Sequence, residues 1–110
     1  MTVNQLADLL DAKVDNLPDG ERELTAGYCG DFLSFVMGKA PEGCAWFTVM
    51  NNVNVCAVAT LADCGAVVLC EGVLPDAALS EKVRRQDVNL LLTDKTVYEA
   101  ALATAGKLGG

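Results

Sequence analysis

The sequence predicts a single α/β domain with a mainly parallel sheet and helices on both faces. Short apolar runs of strand length alternate with helical patterns, and the connections between them are short. Residues 66–70 form a continuous apolar run, typical of a central parallel strand that is covered on both faces. With 110 residues, 52% hydrophobic and 21% charged, the chain can build one core and is not intrinsically disordered. We therefore expect residues 1–110 to form one domain with right-handed crossovers.

The first elements are predicted from capping and turn signals. Thr2 followed three residues later by Gln5 is a capping-box signature, so a short helix is expected to begin there and to end near Asp11. Residues 12–14 favour a brief strand, and residues 17–20 a turn that contains proline and glycine. The expected apolar face of this helix consists of Leu6, Leu9 and Leu10.

The next strand and helix follow the turn. Residues 23–28 predict a strand, and Asp31 is positioned to cap a helix that ends at Gly38, before Pro41. The expected apolar face of that helix consists of Phe32, Phe35 and Val36.

The second half of the chain continues the alternation. Residues 45–49 predict a strand, and a helix over about residues 53–62 is apolar nearly all round, which suggests burial on more than one side. After the central strand, Asp76 begins a helix, and residues 89–92 predict the next strand. The charged outer side of the helix that begins at Asp76 consists of Glu81, Lys82, Arg84 and Arg85.

Thr93 and Asp94 lead into a last helix, of which they are the simplest cap. This helix is expected to stop at Gly106 or at Gly109-Gly110. Its expected inward residues are Val97, Tyr98, Ala101, Leu102 and Ala105.

Charge and composition exclude several classes of function. The formal net charge is −7, and the isoelectric point is near 4.3, which argues against nucleic acid or an anionic membrane as the partner. The chain contains no histidine, and this removes the commonest general base and the commonest metal ligand. No P-loop motif and no Gly-x-Gly-x-x-Gly motif is present, and we expect no cofactor and no metal.

The five cysteines predict free thiols rather than a disulfide framework. Their number is odd, no Cys-x-x-Cys pair occurs, and the N-terminus does not resemble a secretory leader. We therefore expect a soluble, cytoplasmic protein with no transmembrane segment. Cys29, at the expected strand-to-helix turn, is the candidate for a reactive thiol. The others are expected to pack in the core: Cys44, Cys56, Cys64 and Cys70.

Ligand-binding candidates come from the carboxyl ends of the predicted strands, where open α/β sheets usually bind ligands. Amide side chains and a helix N-terminus can hold an anion or a carbonyl. Each candidate also has a structural alternative: Asn52 or Asn54 caps the following helix, Glu71 and Gly72 form a turn, and Thr93 caps the last helix. The candidates are Asn51, Asn52, Asn54, Glu71, Gly72 and Thr93.

Three segments, residues 23–34, 52–59 and 66–72, resemble the DRTGG domain, and the similarity extends over nearly the whole chain. The resemblance implies a fold like that of the N-terminal domain of HPr kinase/phosphorylase. It also implies an accessory role like that of DRTGG domains in phosphotransacetylases and CBS-containing pyrophosphatases, where the module helps to form dimers. Stand-alone relatives in anaerobes are often encoded near hydrogenase or kinase-like genes, which implies an operon-encoded enzyme partner. Ala26 and Glu71 stand where relatives have glycine, and they would hinder the close approach of a phosphate.

These observations lead to a non-catalytic regulatory or interaction module as the main hypothesis. We expect a homodimer that senses a small nucleotide-like or phosphorylated ligand, with the apolar helix over residues 53–62 as the dimer face. One alternative is a nucleotide-binding or phosphoryl-handling enzyme subunit, whose strand-end asparagines and Glu71 would line a pocket. A further alternative is a redox accessory protein that uses Cys29.

Overall fold

A computed structural model describes residues 1–108, and its helices and strands alternate as the sequence predicts. The elements are α1 (Val3–Leu9), β1 (Lys13–Asn16), β2 (Gly27–Cys29), α2 (Leu33–Lys39), β3 (Ala45–Thr48), α3 (Asn54–Leu61), β4 (Ala66–Leu69), α4 (Ala77–Arg85), β5 (Leu90–Leu92) and α5 (Val97–Thr104).

The strands of residues 1–108 form one sheet in the order β1-β5-β4-β3-β2. The pairs β2–β3, β3–β4 and β4–β5 are parallel, and only β1 at the edge is antiparallel to its neighbour β5. The predicted α/β class with a mainly parallel sheet is confirmed.

Two hydrophobic cores lie on the two faces of this sheet. One face carries Trp46, Val67 and Leu90, which pack with buried residues of α2, α3 and α4. The other carries Phe47, Val68 and Leu91, which pack with α1 and α5. The alternation arises because successive strand residues point to opposite faces.

The capping signals at α1 and α4 are confirmed. Thr2 Oγ1 accepts from the Gln5 backbone N–H at 3.2 Å, and Gln5 Oε1 accepts from the Thr2 N–H at 2.8 Å. Asp76 Oδ1 accepts from the Leu79 N–H at 2.8 Å. In α1, however, Leu9 lies at the surface, while Leu6 and Leu10 are buried.

The prediction for β2 and α2 was wrong in three respects. The strand covers only Gly27–Cys29, and Glu23 forms an isolated antiparallel bridge with Thr2. Asp31 does not cap α2, because its carboxylate instead accepts hydrogen bonds from Thr48, the last residue of β3, and from Val49. Of the expected inward residues only Val36 is buried, and Phe32 and Phe35 stack edge-on at the surface with ring centroids 4.8 Å apart.

The prediction for α5 was wrong about its cap and its orientation. Thr96, not Thr93 or Asp94, is the N-cap, and it forms a capping box with Glu99. The buried residues of α5 are Ala100 and Thr104, so several of the residues predicted to face inward lie at the surface. The exposed members of that set are Tyr98, Leu102 and Ala105.

The end of α5 agrees with the first of its two predicted stops. Gly106 follows the helix with a φ of +75°, a left-handed conformation that favours glycine. The alternative stop at Gly109-Gly110 lies outside the described residues.

Helix α3 is buried on one side only, which corrects the expectation of burial on more than one side. Val55, Cys56, Val58 and Ala59 face the core, whereas Leu61 is 74% exposed. The sequence alone does not distinguish an apolar residue on the outer side of a helix from one on the inner side.

Within residues 1–108, every helix is too short or too polar to cross a bilayer.

Two glycines provide a matched test of this packing. At Gly65 an added Cβ would lie 2.6 Å from Leu24 Cδ2 and 2.9 Å from the Gly43 carbonyl oxygen, so Gly65→Ala should destabilise the fold by about 1–3 kcal/mol. At Gly38, within α2, nothing lies within 4 Å of the added atom. Gly38→Ala should therefore stabilise the protein, by at most about 1 kcal/mol. Urea unfolding of both variants measures the two effects, and equal effects of the same sign would contradict this packing.

Candidate functional site

The carboxyl ends of β2, β3, β4 and β5 meet at one edge of the sheet because these strands run parallel. Five of the six predicted ligand-binding residues lie in the loops that follow β3, β4 and β5, and the sixth, Asn54, is the first residue of α3, directly after the first of these loops. We call this surface the carboxyl edge. Backbone and side-chain hydrogen bonds connect its loops one to the next.

Asn51 joins the loop after β3 to the loop after β4. Its side-chain Nδ2 donates to the Leu74 carbonyl at 2.7 Å, and its own carbonyl accepts from the Asp76 N–H at 3.0 Å. The Asn51 amide is therefore a structural link, which leaves its Oδ1 as the free end of the side chain.

Asn52 and Asn54 have different roles at the start of α3. Asn52 Oδ1 accepts from the Asn54 N–H at 2.9 Å, a local turn, while Val53 is the N-cap and forms no side-chain cap. Asn54 is exposed, and its side chain forms no hydrogen bond with any other residue in the range 1–108. Of the three asparagines, Asn54 has the side chain most open to a ligand.

Glu71 and Gly72 form a left-handed turn, with φ of 64° and 70°. The Glu71 N–H donates to the Lys95 carbonyl at 2.8 Å, and the Gly72 N–H donates to the Thr93 carbonyl at 3.0 Å. These bonds connect the loop after β4 to the loop after β5. Both residues are exposed, so the carboxylate of Glu71 points into solvent at this edge.

Thr93 supports the loops and is itself only 5% exposed. Its Oγ1 accepts from the Lys95 N–H at 3.2 Å and lies 3.4 Å from the Leu10 carbonyl, to which it donates. A ligand at the surface would meet Lys95 or Asp94 before it met this hydroxyl. Thr93 is thus a positioning residue.

Asp31 belongs to the carboxyl edge, although the sequence indicated only a helix cap. Its Oδ1 accepts from Thr48 Oγ1 at 2.7 Å and from the Val49 N–H at 3.0 Å. These bonds join the loop after β2 to the end of β3. No local spacing could have indicated them, because the partners are 17 and 18 residues away in sequence.

A cavity of about 70 Å³ opens at this edge, between the loop after β4 and the end of β5. Gly72 and Thr93 line it, together with Lys13, Asp11 and Asp94, whereas none of the three asparagines does. Typical ligand pockets are about 300–1,000 Å³. The carboxyl edge therefore offers an open surface for a ligand rather than an enclosing pocket.

A larger cleft, of about 340 Å³, lies beside the edge strand β2 on the α5 side of the sheet. Gly27, Phe47 and Ala101 line it, as does Cys29. Sequence reasoning did not find this cleft. The sequence signal for it was the small side chains of Ala101, on α5, and Ala105, at the C-cap of α5, which leave space above β2.

Cys29 is exposed, but its environment disfavours the thiolate. Partial burial raises the pKa of the Cys29 thiol, and the negative charge of Asp31 raises it further. A reactive cysteine usually has a lowered pKa beside a cation. The geometry therefore gives no support to a redox role for this residue. Among residues 1–108, no three His, Cys, Asp or Glu side chains lie close enough to hold a metal ion.

The fold and the carboxyl edge together define a small α/β domain whose strand-end loops are linked into one surface. No family model matches the sequence, and no curated protein shows significant similarity to it. A solved structure with a similar fold is the CBS and DRTGG domains of the regulatory region of Clostridium perfringens pyrophosphatase, complexed with the activator diadenosine tetraphosphate.

That structure matches 98% of this chain at 12% sequence identity with a TM-score of 0.76. The match covers 47% of the chain in that structure, which is itself only the regulatory region of the pyrophosphatase. At 12% sequence identity this similarity establishes the fold alone. The expected DRTGG-like architecture is therefore confirmed for the fold.

Titration of Cys29 tests the electrostatics of this edge. Because its pKa is raised, the alkylation rate of Cys29 at pH 7 should be below that of an unperturbed thiol, with its midpoint above the ordinary value. Asp31→Asn removes the negative charge, so the midpoint should move to lower pH and the rate at pH 8 should increase. Labelling with iodoacetamide followed by peptide mapping measures both, with Cys29→Ser as the blank. A wild-type midpoint below the ordinary value would contradict the assignment.

Proposed function

We propose that this protein is a non-catalytic regulatory module that senses a small nucleotide-like or phosphorylated ligand. The observation that carries the proposal is the shared fold with a regulatory region whose structure contains a nucleotide activator. The hydrogen-bonded loops of the carboxyl edge support it, since one bound group there would contact segments from several strands at once.

The chemistry of the carboxyl edge favours a ligand with both a polar base and an anionic part. The free amide of Asn54 can both donate and accept, as recognition of a nucleobase or a ribose requires. Lys13 and Lys95 supply positive charge at the same edge. Glu71 opposes an anion, so the net affinity for phosphate groups is limited by this carboxylate.

A thermal-shift screen against diadenosine tetraphosphate, ATP and inorganic phosphate tests the ligand-sensing proposal. A ligand at one hundred times its dissociation constant should stabilise the protein by about 2.7 kcal/mol. We expect Asn54→Ala to weaken the binding of an active nucleotide about tenfold, through loss of a hydrogen bond. Glu71→Gln should strengthen it, because a repulsive charge is removed.

Gln86→Ala is the matched control, because Gln86 is also exposed but follows α4 at the opposite end of the sheet. It should leave the shift unchanged. A flat screen would overturn ligand sensing in favour of a pure interaction module. A shift that is equal in all three variants would place the ligand away from the carboxyl edge.

We further propose that the module is a homodimer that uses the outer side of α3. Leu61 is 74% exposed and borders a groove of about 330 Å³ between α3 and α4, together with Cys56 and Ala57. Burial of such an apolar surface against a second copy would remove it from water.

Sedimentation at tens of micromolar tests the dimer. Leu61→Glu should convert a dimer to monomer, because it places a charge in the proposed interface. Leu102→Glu is the matched control, since Leu102 is 62% exposed on α5 across the sheet and should not affect association. A monomeric wild type would contradict the dimer. Dissociation by Leu102→Glu alone would move the interface to α5.

A regulatory module acts on another activity, so we propose an enzyme as the partner in the cytoplasm. The similar structure is the regulatory region of an enzyme, a pyrophosphatase. Here the partner would be an enzyme of hydrogenase or kinase-like type, as expected for stand-alone DRTGG-like proteins.

A further inference from the structure

Two buried thiols lie next to each other at the amino end of the central strands. The Sγ atoms of Cys44 and Cys64 are 3.7 Å apart, and both residues are buried. Cys44 directly precedes β3, and Cys64 lies just before β4, which pairs with it. Neither residue belongs to the carboxyl edge, so the proposed ligand site does not account for this pair.

The backbone holds the two cysteines beside each other. The strand register pairs Ala45 with Ala66, so Cys44 lies opposite Gly65, one residue from Cys64. The Gly65 N–H donates to the Cys44 carbonyl at 2.8 Å, and the Ala66 N–H lies 3.3 Å from the same oxygen. Neighbouring strands are about 4.8 Å apart, and disulfides typically join Cα atoms about 4.4–6.8 Å apart. An S–S bond is about 2.05 Å long, so the sulfurs need to close by less than 2 Å, within the range of a side-chain rotation.

A polar cleft connects this pair with solvent. Its volume is about 130 Å³, and Cys64 lines it together with Arg22, Asp63 and Gly65. One water molecule takes about 30 Å³ in the liquid, so the cleft can admit a small polar oxidant such as hydrogen peroxide. Cys44 does not line this cleft and has no exposed surface.

The electrostatics of the pair favour the loss of one proton. The hydrogen bond between the two thiols lowers the pKa of Cys44 against the opposing effect of burial, and the guanidinium of Arg22 lowers it further. The same hydrogen bond, together with burial, raises the pKa of Cys64, so one thiol of the pair loses its proton before the other. Arg22 is held in place by Asp63, to which it donates at 3.1 Å. The lone buried thiols differ, because burial raises the pKa of Cys70 to about 12 and also raises that of Cys56.

We propose that Cys44 and Cys64 are an oxidation site, at which hydrogen peroxide converts the two thiols into an intramolecular disulfide. One sulfur attacks a peroxide oxygen, the O–O bond breaks, and a sulfenic acid and one water form. The other sulfur then attacks the sulfenic sulfur, expels the second oxygen as water and completes the S–S bond. In total two thiols are oxidised, and one peroxide is reduced to two waters.

Peptide mapping of the whole protein tests this site. The reduced chain is treated with hydrogen peroxide at neutral pH, alkylated, and cleaved before aspartate residues, which separates Cys44 from Cys64 at Asp63. We expect the peptides of residues 31–62 and 63–75 to be joined, with a combined mass lower by two hydrogens and release by dithiothreitol. Fragmentation of the joined peptides identifies the linked sulfurs.

Matched variants provide the controls. Cys56→Ser and Cys70→Ser remove the other cysteines of the same two peptides and should leave the link intact, whereas Cys44→Ser and Cys64→Ser should abolish it. Because the wild-type fragmentation pattern locates the bond directly, the test remains decisive if a variant fails to fold. Absence of the joined peptides in the folded wild type, or a link through Cys56 or Cys70, would overturn the proposal.

Discussion

The burial of β4 is the constraint on which the rest of the structure depends. All four residues of Ala66–Leu69 are fully buried, and the strand pairs in parallel with β3 on one side and β5 on the other. A parallel strand cannot be reached by a hairpin, so each neighbour requires a crossover helix. Val67 and Val68 point to opposite faces, and each therefore anchors one of the two cores.

This arrangement also divides the chemistry of the molecule between the two ends of the sheet. The parallel strands bring their following loops to the carboxyl edge, where the Asn51 side chain and the Thr93 carbonyl connect them by hydrogen bonds with Leu74 and Gly72. The opposite end brings Cys44 and Cys64 together, just before β3 and β4. The same strand pairing thus positions both the proposed ligand surface and the thiol pair.

Local signals predicted the fold better than they predicted the site. The capping box of Thr2 and Gln5 and the cap at Asp76 were correct, since each involves atoms only three residues apart. Asp31 was misassigned because its partners, Thr48 and Val49, come from another strand. The six site candidates do lie at one edge of the sheet. Only the hydrogen bonds in the folded structure show that the side chain of Asn54 is free, whereas residues such as Asn51 and Thr93 have structural roles.

The sequence by itself determined the α/β class, the order of the elements and the central strand, because hydrophobic period and caps are local properties of the chain. Only the tertiary structure decided which side of each helix is covered. Tyr98 and Leu102 look like core residues in sequence, but α5 packs through Ala100 and Thr104 instead. Which side of α5 is covered depends on the space between the helix and the sheet, and this space is set by packing between segments that are distant in sequence.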